Sequence, residues 1–227
     1  ERKTYSRARF LLTESDYSHD SLKEYYHRDS YVVRHPLRSE FLEDCHSVME
    51  RENKRVVFVG AFVGRKGVVD AVRAFADAGI QDAKLILIGH GYQEAEVREM
   101  INSVGVSGRV QLLPDCSSEE LQAEMRRAEI FILPSYSDTG PTALKEAISQ
   151  GCIPVCYDNT GPKELIGRYG GFVAETGNVT DLTIKLKLAC MSAKEKRECV
   201  DAAARRIRMD LSPCNIWNCL KKVYALI

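Results

Sequence analysis

No apolar run in this 227-residue sequence approaches the roughly 20 residues that a membrane-spanning helix needs. An excess of charge is missing too. Lys+Arg and Asp+Glu both number 32, so no global field argues for nucleic acid or an anionic membrane as partner. Among eight cysteines no CxxC occurs, and Cys152 and Cys156 flank an apolar strand rather than forming a metal knuckle. That usage leads to an expectation of reduced, mostly buried thiols. The first ten residues, ERKTYSRARF, lack the apolar core of a secretory signal. Together these features carry the expectation of a cytoplasmic location and no bound metal. A dinucleotide fingerprint is absent as well: Gly89-His90-Gly91 begins like one, but Glu94 stands where the third glycine belongs. Those glycines read equally as a turn or as a ligand wall.

What the chain does contain is a regular alternation. The apolar runs VVFVG (56–60), KLILIG (84–89), RVQLL (109–113), IFIL (130–133) and CIPVCY (152–157) are each followed by a segment with helical periodicity. The glycine–proline segment GPKELI (161–166) starts a further helix, and GGFVAE (170–175) is a last short strand. Helices over about 179–190, 193–209 and 213–226 finish the chain. Continuous apolar strands alternating with helices predict a doubly wound, Rossmann-like parallel sheet covered on both faces, with C-terminal helices. Ligands of such sheets bind at the carboxyl ends of the strands. The first fifty residues look different. A strand within RFLLT (9–13), a helix from Ser15 or Asp16 to about His27, and a strand at 31–34 are followed by charged, weakly periodic sequence from Glu40 to Lys54. One βαβ fragment and a linker are too small to carry a core alone.

The loops at the strand ends hold the chemistry. Gly60 permits a tight exit from its strand, and Arg65-Lys66-Gly67 places two cations at a helix start, where the dipole disfavours them. A grip on a diphosphate by Lys66, assisted by Arg65, explains that mismatch; a solvated basic cap is the alternative. The stretch IFILPSYSDTGPTALKEAISQGCI (130–153) reads as strand, tight loop and helix, with Pro141 suited to the first helical position and Gly151 closing the far end. Backbone amides at Gly140 and Thr142 suit a phosphate or sugar hydroxyls. Glu146, about one turn further on, can accept from vicinal hydroxyls such as those of a ribose, and Asp138 can hold sugar hydroxyls. An ordinary helix with an exposed Glu146 and a loop acid at 138 carries the same residue types.

In their order and spacing these motifs resemble the retaining glycosyltransferases of family 4 (glycosyl transferases group 1), which have two Rossmann-like halves in the GT-B arrangement. The markers are VGAFVGRKGVVDAVRAF (59–75), KLILIGHG (84–91), RVQLLPDCSSEELQAEMRRAEIFILPS (109–135), DTGPTALKEAISQGCIPV (138–155) and the turn at 161–166. The family's Glu-x7-Glu motif is matched by Asp138-x7-Glu146, which implies that Glu146 holds the nucleotide ribose and Asp138 the transferred sugar. The family's loop lysine is matched by Lys66, whereas its arginine position is Ala61, so Arg65 would have to substitute. Backbone near Leu113–Cys116 would support the base. Lys66, Arg65, Asp138 and Glu146 are therefore the candidate catalytic residues. Gly60, Lys66, Gly89, Leu113, Gly140, Pro141, Thr142 and Glu146 are the candidate donor-binding residues.

The resemblance further implies that residues 1–50 are a remnant of the N-terminal, acceptor-binding half and the linker, and that 51–190 form the donor-binding domain. Residues 191–227 would be C-terminal helices, the last crossing back with Trp217 and Tyr224. The implied reaction is retaining transfer from a UDP- or GDP-linked sugar to a sugar or lipid-linked acceptor in polysaccharide or glycoconjugate synthesis, without a cofactor or an obligatory metal. The full enzyme would associate peripherally with a membrane. A non-catalytic nucleotide-sugar-binding subunit with a separate acceptor-binding partner is the alternative. An epimerase of the same architecture would need further acid/base groups, and His90 is the only histidine nearby. The missing half leads to one structural expectation: an exposed apolar patch around residues 5–25 and 213–227.

Overall fold

A computed structural model describes residues 2–43 and 51–226. Helix α1 (Arg2–Arg7), which the sequence pattern did not announce, precedes a small unit of β1 (Leu12–Thr13), α2 (Asp16–Tyr26) and β2 (Tyr31–Val32). The main body follows as β3 (Arg55–Val59), α3 (Val68–Ala78), β4 (Lys84–Ile88), α4 (Glu94–Ser103), β5 (Val110–Leu113) and α5 (Ser118–Arg127). It continues with β6 (Ile130–Leu133), α6 (Thr142–Ser149), β7 (Ile153–Tyr157), α7 (Thr160–Tyr169) and β8 (Phe172–Ala174). Helices α8 (Val179–Ser192), α9 (Arg197–Asp210) and α10 (Pro213–Tyr224) complete it.

The six main strands are all parallel, in the order β5-β4-β3-β6-β7-β8. The chain winds outward from β3 through β4 to β5, then returns to lay β6 on the other side of β3, with Val56 beside Ile130 and Val57 beside Phe131. That reversal makes the β3/β6 boundary the switch point, from which α3 and α6 pass to opposite faces of the sheet. Strands β6 and β7 are buried along their whole length, as their unbroken apolar runs require. Helix α3 buries Val68, Ala71, Val72, Phe75 and Ala78 along one stripe, and α8 packs against it. On the other face α9 packs on α6 and α7.

The N-terminal unit is a two-stranded parallel sheet, with Leu12 beside Tyr31, its strands shorter than the apolar runs that announced them. It is fastened to α7. The Asp16 amide donates to Glu164 Oε2 at 3.0 Å, and Arg34 reaches both Asp16, at 3.0 Å, and Glu164. Arg168 adds a 2.5 Å contact to Asp16. The following segment is not the featureless linker that its charges indicated. A 3-10 turn at Ser39–Leu42 buries Phe41 completely, and the Leu37 amide donates to the Leu211 carbonyl at 2.9 Å. Linker residues 44–50, with Cys45, lie outside the described residues.

Two further expectations need correction. Of the seven described cysteines, none in a disulfide, only Cys152 and Cys156 are buried, while Cys199 and Cys214 are exposed on α9 and α10. Pro141 is the N-cap residue rather than the first residue of α6, with the extended backbone that proline imposes outside the helix. Large apolar side chains are exposed in both of the stretches expected to carry a patch: Leu12, Tyr17 and Tyr25 in the first, Trp217, Tyr224 and Leu226 in the second, Tyr25 to 63% and Trp217 to 55%.

One close approach sets the geometry of the switch point. Gly67 has φ +67°, and a Cβ there would lie 2.0 Å from the Pro134 carbonyl oxygen. Gly105 has φ +70° but open space around it. Gly67→Ala should therefore cost more than about 2 kcal/mol, combining backbone strain with displacement of Pro134. Gly105→Ala should cost only the left-handed backbone term of about 1–2 kcal/mol. Denaturant midpoints of the two variants measure the difference.

Candidate donor-binding site

The loops after β3, β4 and β6 form one connected rim. The Phe62 amide donates to the His90 carbonyl at 2.8 Å and the Gln93 amide to the Phe62 carbonyl at 3.0 Å, which joins the first two loops. Gly89 (φ +135°) is required there, because a Cβ would stand 2.3 Å from the Gly60 carbonyl oxygen. At the strand ends the Gly60 amide donates to Ile88 at 3.1 Å and the Gly89 amide to Leu113 at 3.2 Å, so all three positions lie side by side. Arg65 and Lys66 belong to a 3-10 turn, Gly64–Lys66, ahead of α3. The Arg65 carbonyl accepts from the Tyr136 amide at 2.8 Å and the Ser135 hydroxyl at 3.0 Å, which straps the β3 loop to the β6 loop.

This strap brings Lys66 to Asp138. Their side chains form an ion pair, both mostly shielded from solvent. Asp138 is held from three further directions: its Oδ1 accepts from the Gly140 amide at 3.4 Å, and its carbonyl accepts from the Gly161 amide at 2.9 Å and the Thr160 hydroxyl at 2.7 Å. The glycine–proline turn at 161–162 is thus the anchor of the loop that carries the acid. Arg65 is exposed and its guanidinium turns to the Ser137 carbonyl at 3.4 Å, beside the Lys66–Asp138 pair rather than in it. The start of α6, at Gly140, Pro141 and Thr142, has no side-chain cap, and the Glu14 carboxylate lies against Gly140, an anion where a helix start favours one.

Glu146 lies one turn into α6, 1% exposed, so an exposed helix glutamate is the reading that fails. Its Oε1 accepts from Arg38 Nε at 2.7 Å. Burial pushes the Glu146 carboxyl above the usual range; Arg38 opposes that shift, with Lys145 helping and Glu40 working against it. Arg38 in turn donates through Nη1 to the Ser118 hydroxyl at 2.7 Å and stacks 4.9 Å over the Phe41 ring. Ser118 opens α5 just after the 113–117 loop, whose Ser117 and Glu120 make a capping box.

Several of these partners escape sequence reasoning. Lys145, 3% exposed on α6, pairs with Glu14 of the N-terminal unit, and His35 Nδ1 lies 3.3 Å from the same oxygen. Behind the β6 loop, Tyr136 and Tyr157 both donate to Asp70 Oδ2, at 2.6 and 2.9 Å; the bond pushes the Tyr136 hydroxyl up to about 12, and burial, with its own bond to Asp70, raises the Tyr157 hydroxyl as well. Asp70 was legible only as a first-turn helix acid. Arg38 and Glu14 lie more than a hundred residues from α6, and no local period points across that distance.

The chain was compared with known proteins on this basis. The family model of the glycosyl transferases group 1 matches residues 46–206. The GDP-mannose:cellobiosyl-diphosphopolyprenol alpha-mannosyltransferase of Xanthomonas oryzae is 29% identical over 109 residues, which are 46% of this chain and 29% of that protein. The chain thus spans well under half of that relative's length. The sucrose-phosphate synthase of Thermosynechococcus elongatus superposes with a TM-score of 0.84 at 17% identity, covering 99% of this chain and 60% of that one. The pneumococcal O-GlcNAc transferase GtfA, solved with UDP and GlcNAc, gives 0.81 at 17% identity, covering 98% of this chain and 46% of that one. These likenesses place the six-stranded sheet and its helices in the Rossmann-like architecture of GT-B glycosyltransferases. With the family model covering most of its length, the chain belongs to the glycosyl transferases group 1 family.

Proposed function

We propose that this chain is the donor-binding half of a retaining family 4 glycosyltransferase and that it holds a nucleoside diphosphate sugar at the β3/β6 switch point. The observation that carries the reading is the meeting of Lys66 and Asp138 beside the uncapped start of α6, with Glu146 buried one turn behind it. Glu146 accepts from the ribose hydroxyls and Asp138 from those of the transferred sugar. Backbone at Leu113–Cys116 supports the base. Lys66, Arg65 and the amides of Gly140 and Thr142 stabilise the charge that grows on the departing diphosphate, which is the main work this half does in the reaction. In that state the Lys66 ammonium turns from Asp138 toward the phosphates, which frees the Asp138 carboxylate for the sugar. These groups stabilise the leaving group without an obligatory metal.

The relatives named above include a protein named for GDP-mannose and a structure solved with UDP, which supports a UDP- or GDP-linked donor. The N-terminal unit then corresponds to the last βα unit of the acceptor half, and α10 to the helix that crosses back. The exposed Tyr17, Tyr25, Trp217 and Tyr224 mark the surface that the acceptor half covers. The acceptor is a sugar or lipid-linked sugar in polysaccharide or glycoconjugate synthesis. Among the described residues no helix is long and apolar enough to cross a membrane. We place the full enzyme on the cytoplasmic side, associated peripherally. The same exposed surface also fits a second reading, a nucleotide-sugar-binding subunit whose acceptor half is a separate chain.

Calorimetry with UDP, GDP and ADP and with their sugars tests the site. Glu146→Ala and Lys66→Ala should each lose about 1.5–3 kcal/mol, roughly ten- to a hundredfold in Kd. Absence of nucleotide binding, or variants that bind as the wild type does, would overturn the assignment. A pH series gives an independent check. Hydroxyls donate to the ionised carboxylate, and burial raises the Glu146 pKa, so affinity should fall as the pH drops through that raised value. The loss should set in at a higher pH than an exposed glutamate would give, and Glu146→Gln should flatten the profile.

A further inference from the structure

Arg38 belongs to none of the family motifs read from the sequence, yet it makes the one hydrogen bond that the Glu146 side chain has among the described residues. Among the described residues no hydrogen bond is made to the other carboxylate oxygen, Oε2, although the side chain is only 2% exposed. A carboxylate removed from water to this degree needs a cation or several donors to stay ionised. Arg38 is placed to be that cation by packing on both sides of it. Leu37 is buried and tied to the Leu211 carbonyl, Phe41 is buried beneath the guanidinium, and Arg38 itself is extended where it leads into the 3-10 turn at Ser39–Leu42. Its Nη1 bond to Ser118 fixes the remaining freedom of the fork.

We propose that Arg38 is a positioning residue for the donor ribose: it holds Glu146 by Oε1, keeps it ionised, and leaves Oε2 as the acceptor for a ribose hydroxyl. The inference rests on the reading of Glu146 as the ribose carboxylate. Other charges around Glu146 do not replace Arg38. Glu40 opposes ionisation, and the Lys145 ammonium, next along α6, is committed to Glu14. The arrangement also narrows the geometry of recognition. With one oxygen engaged, Glu146 receives the ribose through a single oxygen instead of bridging two hydroxyls with both.

Two measurements on the full chain test this. In the first, ¹³C-carboxyl NMR on glutamate-labelled protein follows the titration of Glu146 without any ligand. R38A should move the Glu146 midpoint upward, and R38K should leave it between wild type and R38A. The second is calorimetry with UDP and GDP between pH 5 and 8. R38A should bind about tenfold more weakly near neutrality, with the deficit growing toward acid. E146Q and the R38A/E146Q double variant should bind alike, since Arg38 acts through the carboxylate. An unchanged NMR midpoint, or R38A binding as tightly as wild type or more tightly, overturns the proposal. A midpoint that moves while nucleotide affinity ignores E146Q overturns the ribose assignment and leaves the Arg38–Glu146 coupling standing. R38M, which keeps the aliphatic stem over Phe41, replaces R38A in both measurements if R38A does not fold.

Discussion

The close passage of the β3 loop against the end of β6 is the constraint on which the rest of the site depends. Gly67 comes within contact of the Pro134 carbonyl, and the Arg65 carbonyl takes two hydrogen bonds from residues 135 and 136. A side chain at 67 would wedge the two loops apart. Lys66 and Asp138 would then separate. The contact is made of backbone, so it stays the same whichever side chains line the crevice. This is how one sheet topology supports a precise site: the strands bring the loops together, and the absence of a Cβ lets them close.

Electrostatically the site is balanced in its resting form. Lys66 is paired with Asp138, Arg38 with Glu146 and Lys145 with Glu14. Each of these carboxylates is well shielded from water, where an unpaired charge would be expensive. On the proposed reading an incoming diphosphate would add negative charge where pairs already exist, so binding would exchange partners rather than fill unpaired positions. Arg38 and Glu14 both come from the N-terminal unit or the segment after it, and both end on α6. Helix α6 is therefore held by residues outside the Rossmann-like sheet.

Much of the fold was legible because a buried parallel sheet imposes a simple pattern. VVFVG, KLILIG and IFIL carry no alternation, since both of their faces are covered, and each ends at a glycine or proline that opens a loop. Lys66, Asp138 and Glu146 were singled out as candidates by their place at the strand ends and by the family resemblance. Their partners were not. The period of a strand or helix reports which face is buried, but it says nothing of a contact made by an extended segment, and Arg38 sits in such a segment two residues after Pro36. Phe41 shows the same limit: charged neighbours made its surroundings read as linker, while one aromatic ring drives the segment into the core. The exposed Cys199 and Cys214 show the reverse error, since cysteine is buried often but not by necessity.

The fastening of the N-terminal unit has a consequence of its own. Asp16, Arg34, Glu164 and Arg168 form a network at a partly wet seam, where Asp16 keeps 48% of its side chain exposed and Arg168 40%. Ion pairs of this kind are individually weak, and salt screens them over a distance of about 8 Å at physiological ionic strength. The hydrophobic sheet beneath does not share that sensitivity. Salt therefore weakens the exposed part of this seam, Asp16 with Arg168, more than the shielded Arg34–Glu164 pair or the six-stranded sheet.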